Sequence, residues 1–195
     1  MKQGFSKKIF TARLFFNDLG FLIWNSPKII RVFLTRRNPE HLIEKILIVT
    51  DAVNGCIYCS WMDAKLAIRS GISEDEVRNM LKLEFHTDAS EYELNALLFA
   101  QHYAETNRHP DPEMTKKLFD YYGEKTARDI ILAIRTVTFG NLYFNTWGAV
   151  LSRFRGNPAP NSNVVFELIY ALLNFIIFVP FVILRKLDRK AIEPV

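Results

Sequence analysis

The chain has 195 residues and a formal net charge of +4, and nearly half of its residues are apolar. This composition excludes a disordered protein, and the length suits one domain with a core plus an extension. The positive charge is concentrated near the two ends, at Lys7, Lys8, Arg13, Arg185, Lys186, Arg189 and Lys190. No basic run lies within a nucleic-acid motif, so the pattern argues against nucleic-acid binding and favours an anionic membrane surface.

Residues 1–24 are predicted to form an amphipathic, basic helix. Their large apolar residues recur at spacings of three to five, at Phe5, Ile9, Phe10, Leu14, Phe15 and Leu19. Arg13, Asn17 and Asp18 interrupt the apolar run, which argues against a signal peptide. The helix either packs on its own domain or a subunit neighbour, or it docks on a membrane surface.

Two further helices are predicted before the cysteines. The first covers residues 25–34, with Ser26 as its N-cap and Pro27 in its first turn. The second covers about residues 41–53 and buries an aliphatic face. It carries Glu44, the one acid in the apolar first part of the helix. Glu44 is either a solvated surface residue or a functional carboxylate.

The two cysteines of the chain, Cys56 and Cys59, form a C-x-x-C pair directly after the turn dipeptide Asn54-Gly55. The apolar pattern over residues 57–68 predicts a helix whose first turn holds the pair. Unpaired backbone N–H groups and the helix dipole at that end favour a thiolate over a thiol. A disulfide between these cysteines closes too small a loop to stabilise the fold, and no nearby Cys or His completes a zinc site. The pair therefore indicates reactivity.

The chain after the cysteine helix is also predicted to be helical. Ser73 begins one helix and forms a capping-box pattern with Glu76, and Ser90 begins a longer one that carries His102. Little in the composition suggests strands, so the domain is predicted to be all-α.

The second half of the domain contains the longest predicted helical region. One helix ends near Gly123, and a second runs over about residues 124–155 with a kink expected at Gly140. Asn141 and Asn145 lie one turn apart on it, and we expect them to bond within the interior or across a subunit contact.

Residues 156–162 form the clearest boundary in the chain, and a strongly apolar helix follows. Residues 164–184 contain only Glu167, Asn174 and Pro180 outside the apolar set. The run is long enough to cross a bilayer, although Pro180 would kink it and the two polar residues share one face. We predict membrane association through residues 164–184, spanning or in plane, at the cytoplasmic side; a helix buried in an oligomer is the alternative.

Three features around the cysteines resemble the carboxymuconolactone decarboxylase/alkyl hydroperoxidase D (AhpD-like) superfamily. They are Glu44 twelve residues before the first cysteine, the segment NGCIYC, and Gly71-Ile72-Ser73 at the end of the helix. The segments WNSPKIIRVFL (24–34) and 121–154 resemble the family's N-terminal and closing helices.

The resemblance covers roughly residues 20–156 and implies the organisation of the chain. An AhpD-like helical domain would occupy residues 25–156, and a homo-oligomer is expected because the family usually forms one. The amphipathic helix 1–24 precedes this domain. A linker and a C-terminal hydrophobic helix with a basic tail, residues 157–195, follow it.

The redox members of the family reduce peroxides through a cysteine pair, and the resemblance implies a role for each matching residue. Cys59 would be the attacking thiolate, Cys56 the resolving thiol and Glu44 a proton relay. The family's histidine four residues after the second cysteine is Asp63 here, and the histidine that some members carry between the cysteines is Tyr58.

Asp63 replaces an imidazole by a carboxylate, which would repel a thiolate at Cys59. Asp63 can still relay a proton if it shares one with Glu44, because close carboxylates rarely both ionise. His102 is the candidate substitute for the missing imidazole; the alternative is a core or surface histidine.

These features predict thiol-dependent peroxide reduction or disulfide exchange. Cys56 would resolve the Cys59 sulfenate to a disulfide, which an external dithiol must then reduce, and no cofactor or metal is required. Two alternatives stay open: a membrane-associated scaffold or lipid-binding protein with a non-catalytic cysteine pair, and a lyase-type enzyme. The family's decarboxylases generally lack the pair, which disfavours the lyase.

Overall fold

The structure is a computed structural model that describes residues 5–34, 41–86, 89–160 and 162–188. Within these ranges the chain forms seven α-helices and no strand, which confirms the all-α class. The helices are α1 (Ala12–Leu34), α2 (Leu42–Asn54), α3 (Ile57–Ser70), α4 (Glu74–Leu81), α5 (Glu91–Glu105), α6 (Pro112–Phe154) and α7 (Val164–Leu187). The predicted basic residues Arg189 and Lys190 lie outside the described residues.

Helix α2 is the centre of the fold, because it contacts α3, α4, α5 and α6. The cation buried on it is Lys45, whose ammonium pairs with the carboxylates of Glu76 on α4 and Glu93 on α5. The aliphatic residues of α2 are buried around this group, at Leu42, Ile43, Ile46, Ile48 and Val49. The ion pairs therefore join three helices inside an aliphatic core.

Local capping signals start and end several helices where the sequence predicts. The Glu76 N–H donates to Ser73 Oγ at 3.2 Å. Ser90 and Glu93 form a reciprocal capping box at the start of α5. Gly55 ends α2 with a φ of 64°, a left-handed conformation that glycine adopts without strain. This turn brings α3 back against α2.

Helix α1 differs from the prediction. Residues 5–11 are not helical, and α1 then continues through Pro27 to Leu34 without a break. Pro27 leaves the Ile23 carbonyl without its usual N–H donor, and Ser26 Oγ donates to that oxygen at 2.9 Å. The predicted N-cap at Ser26 is therefore wrong, and the boundary proposed after residue 24 falls inside one helix.

Helix α6 is interrupted at Gly123. The φ and ψ of this glycine, 73° and 165°, are not helical, which confirms the predicted helix end there. Gly140 is helical, so the kink predicted at that residue is wrong. Helix α6 contacts α1, α2, α5 and α7.

Helix α7 is bent by 70° between the arms Val164–Ile176 and Phe178–Leu187. Pro180 accounts for the bend, because its ring clashes with the carbonyl four residues earlier, that of Ile176. In the described part of the chain no single helix has the length and apolarity to cross a membrane; the two bent arms together meet that criterion by length and composition alone.

The polar face of α7 turns toward the domain. Glu167 is buried, and Arg153 Nε of α6 donates to its carboxylate at 2.5 Å. The Tyr170 hydroxyl donates to the Tyr143 carbonyl oxygen at 2.8 Å. These bonds dock the first arm of α7 on α6 and leave its apolar residues facing outward.

Candidate redox site

Cys56 and Cys59 are joined by a disulfide at the start of α3. Cys56 is the N-cap of this helix, and its Sγ accepts the N–H of Cys59 at 3.3 Å. The Cys56 N–H donates to the Asp51 carbonyl oxygen at 3.1 Å. The predicted placement of the cysteines at the positive end of α3 is confirmed.

The disulfide is buried, since Cys56 is 0% and Cys59 3% exposed. Aromatic side chains from both ends of the chain, α3 and α6 lie over it. We call this group the aromatic cover: Phe10, Tyr58, Phe144, Trp147, Tyr170 and Phe178. The Trp147 and Phe178 rings are stacked, with centroids 4.3 Å apart. Direct access to the disulfide therefore requires part of the cover to move.

Tyr58, the predicted support residue, belongs to this cover. Its ring centroid lies 5.6 Å from that of Phe144 and 5.5 Å from that of Phe178. The Arg185 guanidinium lies 5.6 Å from the Tyr58 ring centroid. The residue between the cysteines thus packs against the second arm of α7.

Two buried carboxyl groups flank the cysteines in the sequence, five residues before Cys56 and four residues after Cys59. Asp51 of α2 is 0% and Asp63 of α3 8% exposed. Burial raises the pKa of Asp63 to about 6. Burial, and then the charge of Asp63, raise the pKa of Asp51 well above its usual range. Because close carboxyl groups rarely both ionise, we expect this pair to hold one proton. The carboxyl group that acts on the pKa of Asp63 is that of Asp51 and not that of Glu44.

An amide network connects the carboxyl pair to the turn before the cysteines. Asn141 Nδ2 donates to Asp51 Oδ1 at 2.6 Å, and Asn54 Nδ2 donates to Asn141 Oδ1 at 2.8 Å. Asn145 Nδ2 donates to the Asn54 carbonyl oxygen at 2.9 Å. Asn141 and Asn145 therefore bond within the interior, which is one of the two predicted alternatives. The network fixes Asp51 relative to the α2–α3 turn.

Glu44 and His102 lie away from the disulfide. Glu44 is ten residues before the end of α2, about 15 Å along the helix axis. The Nδ1 atom of His41 lies 3.9 Å from the Glu44 carboxylate. His102 Nε2 accepts the Asp111 N–H at 3.0 Å in the α5–α6 connection. The imidazole therefore stabilises that connection, and its role as a substitute for the family's histidine stays a prediction.

A cleft between α1, α2 and α3 reaches the carboxyl pair from outside. It has a volume of about 500 Å³ and is lined by Asp63, Glu44, His41 and Arg69 among others. No residue of the aromatic cover lines it. Protons can therefore reach Asp63 by a route that bypasses the cover.

Comparison of the chain with protein-family models, curated proteins and solved structures finds no match. The superfamily resemblance stays a prediction. Within the described ranges, no group of three or more His, Cys, Asp or Glu side chains is placed to hold a metal ion. We therefore interpret the site from its own geometry.

Two features of the site are not among the residues predicted from the sequence. The first is Asp51, an acid in an apolar helix five residues before Cys56, and this position is the signal that could identify it. The second is the role of the basic residues near the two ends, which the sequence pattern assigns only to a membrane surface. Lys7 Cγ instead lies 4.0 Å from the position a Cβ would take on Gly55, and burial and the nearby Arg185 lower the pKa of Lys7. Two cations thus lie near the start of α3.

Proposed function

We propose that the protein performs thiol–disulfide redox chemistry through Cys56 and Cys59. The observation that carries this proposal is the disulfide at the N-terminus of α3 beside a buried, proton-sharing carboxyl pair. Helix N-termini and nearby cations stabilise thiolates, and Lys7 and Arg185 supply that charge here. The Asp51–Asp63 pair takes the proton-relay role that the resemblance implies for Glu44 and a histidine.

Peroxide reduction can be written as a balanced reaction in which the two thiols supply the electrons and the carboxyl pair supplies a proton. A thiolate attacks the hydroperoxide, an S–O bond forms, the O–O bond breaks, and the leaving alkoxide takes a proton supplied through the carboxyl pair. The second thiol then attacks the sulfenic acid, so a disulfide forms and water leaves. Two electrons pass from the thiols to the peroxide, and an external dithiol returns them by exchange.

The resemblance and the local geometry favour different cysteines as the attacking thiolate. The resemblance implies that Cys59 attacks and Cys56 resolves. The N-cap position of Cys56, whose Sγ accepts the Cys59 N–H, supports Cys56 as the more stable thiolate for disulfide exchange. The pH dependence of alkylation in Cys56→Ser and Cys59→Ser decides, because the cysteine with the lower pKa keeps reacting to lower pH.

The redox proposal is tested on purified, reduced protein exposed to one equivalent of an alkyl hydroperoxide. We expect both thiols to disappear with formation of the Cys56–Cys59 disulfide, and Cys59→Ser or Cys56→Ser to prevent it. Ready exchange with a dithiol but no reaction with peroxide would restrict the activity to disulfide exchange. A pair inert to both reagents would overturn the proposal and support the scaffold or lipid-binding alternative.

We also propose that this chemistry takes place at a membrane surface. The first arm of α7 leaves a continuous set of apolar side chains exposed: Val164, Val165, Leu168, Ile169, Leu172, Leu173, Phe175 and Ile176. Trp24 of α1, an aromatic type that favours the membrane interface, is 86% exposed. Exposed Arg13 and Lys186 add positive charge suited to anionic lipid.

Flotation with vesicles tests the membrane proposal. We expect the full chain to bind vesicles that contain phosphatidylglycerol, and the double variant Leu172→Lys/Ile176→Lys to lose binding while keeping its helical circular dichroism. If the variant instead changes only the solution mass measured by light scattering, the face is a subunit contact. That result would support the expected homo-oligomer and remove the membrane proposal.

A further inference from the structure

A second cavity lies beneath the non-helical N-terminal segment. It has a volume of about 740 Å³, within the range of small-molecule sites. Residues 7–14 form one wall, and the ends of α2 and α5, part of α6 and Pro160 form the rest. The segment is fixed in place, because the Phe10 N–H donates to Thr146 Oγ1 at 3.0 Å and Lys8 Nζ donates to the Ala104 carbonyl oxygen. The cavity is therefore a built part of the fold.

The charge lining this cavity is positive. Lys7, Lys8, Arg108 and Arg135 line it together with His109, and none of the described aspartates or glutamates does. Arg108 is neutralised by Asp18, to which it donates two hydrogen bonds of 2.7 and 2.5 Å. No described carboxylate forms a salt bridge with the other three cations. The cavity thus has an excess of positive charge.

This positive charge is held at an electrostatic cost. Burial lowers the pKa of both Lys7 and Lys8, the nearby Arg185 lowers that of Lys7 further, and Glu105 offsets part of the effect at Lys8. Arg135 lies over the Phe21 ring, 3.4 Å from its centroid, and so contacts a π face rather than an anion. A bound anion would relieve this cost by pairing with the lysines.

The remaining lining is mixed. Thr11, Asn54, Asn107 and Thr138 contribute polar groups, and Ile9, Leu14, Leu142 and Pro160 form an apolar part. A small inorganic ion would leave this surface uncovered, whereas an aliphatic chain would bury it and gain hydrophobic free energy. The combination of half-buried cations with apolar lining residues matches an amphiphilic anion.

We infer that the cavity binds an aliphatic carboxylate of the fatty-acid type, with its headgroup at Lys7 and Lys8 and its chain along Ile9, Leu14, Leu142 and Pro160. This ligand site goes beyond the proposed redox function, although it shares Lys7 with the redox site. It is separate from the exposed face of α7, since no residue of that helix lines the cavity.

Displacement of a fluorescent fatty acid from the full-length protein tests the inference. We expect dodecanoate to displace the probe at least about tenfold better than dodecanol, because the alcohol has the same chain without the charge. Lys7→Gln/Lys8→Gln should weaken dodecanoate binding about tenfold. Lys116→Gln/Lys117→Gln, a matched pair of exposed residues on α6, should leave it unchanged.

Three results would overturn the inference. The first is equal displacement of the probe by dodecanoate and dodecanol. The second is an equal loss of dodecanoate affinity in the two double lysine variants. The third is displacement by dodecyl phosphate without displacement by dodecanoate, which would assign a phosphate headgroup instead. If Lys7→Gln/Lys8→Gln does not fold, the dodecanoate–dodecanol comparison decides on the unmodified protein. Repeating the measurement on Cys56→Ser/Cys59→Ser separates the ligand site from the redox function, since binding should persist.

Discussion

The aliphatic core around α2 and the aromatic cover over the disulfide are built in different ways. The core joins α2, α4 and α5 through the buried Lys45 ammonium and two carboxylates. The cover is assembled from the two ends of the chain, with Phe10 on one side and Tyr170 and Phe178 on the other. The comparison indicates that the core determines the stability of the fold, whereas the cover determines access to the disulfide.

Removing the buried cation of the core should have the largest effect on stability. Lys45→Met leaves the Glu93 carboxylate buried without its partner, and we expect it to lower the free energy of unfolding by about 3–5 kcal/mol. Lys65→Met is the matched control, because Lys65 pairs with Asp188 near the surface and should cost less than about 1 kcal/mol. Urea denaturation measures both, and equal losses would show that the Lys45 cluster has no special role.

A second change should separate stability from access. Phe178→Ala removes the ring stacked on Trp147, and we expect a loss of about 3 kcal/mol together with faster reduction of the disulfide by dithiothreitol. Phe99→Ala in the aliphatic core should cost a similar amount of stability. It should leave the reduction rate under native conditions almost unchanged. Equal acceleration in both variants would mean that reduction requires global unfolding.

The carboxyl pair gives a pH-dependent prediction. Because the pKa of Asp63 is raised to about 6, the folded protein keeps a proton that the unfolded chain releases near pH 4. Stability should therefore fall as pH rises from about 4 to 6. Asp63→Asn removes the charge, so it should flatten this decline and be about 2 kcal/mol more stable than the parent above pH 6.

Thermal or urea unfolding of the oxidised proteins across this pH range measures the effect. Asp129→Asn is the control, because Asp129 pairs with exposed Arg31 and its loss should leave the decline in place. Some decline should remain in Asp63→Asn, because burial also raises the pKa of Asp51, but a decline as steep as in the parent would contradict the contribution of Asp63.

The smallest effect concerns Ser60, directly after Cys59. Its hydroxyl is buried and has no hydrogen-bond partner among the described residues. Ser60→Ala should therefore be neutral or stabilise the protein by up to about 1 kcal/mol. In contrast, Ser152→Ala removes a hydroxyl that donates to the Asn157 carbonyl oxygen at 2.6 Å and should cost about 1 kcal/mol. Chemical denaturation of the pair checks the difference in sign.

Local chemistry made much of the fold predictable. Ser73, Ser90 and Asn54-Gly55 act through neighbours within a few residues, and the structure has the corresponding helix boundaries. The continuity of α1 through Ser26 and Pro27 was not predictable in this way. The Ser26 hydroxyl donates to a carbonyl oxygen inside the helix instead of capping a new helix. A serine before a proline is therefore compatible both with the start of a helix and with a position inside a continuous helix.

The candidate site was predicted only in part, because its groups come from distant parts of the chain. The placement of Cys56 and Cys59 follows from the motif itself. The pairing of Asp63 with Asp51 requires the antiparallel packing of α2 on α3, and the approach of Lys7 to Gly55 requires the path of the N-terminal segment. Neither spacing nor periodicity contains that information.

The bend in α7 has a consequence for hydrogen exchange. The first arm is attached to α6 by Glu167 and Tyr170, while the second is attached to α3 by Asp188, which accepts from Trp61 Nε1 at 3.1 Å and pairs with Lys65. Because the bend interrupts the backbone ladder, the arms can open separately, and amides of the second arm should exchange first. Reduction of the disulfide in the native protein should then follow the opening rate of this one arm.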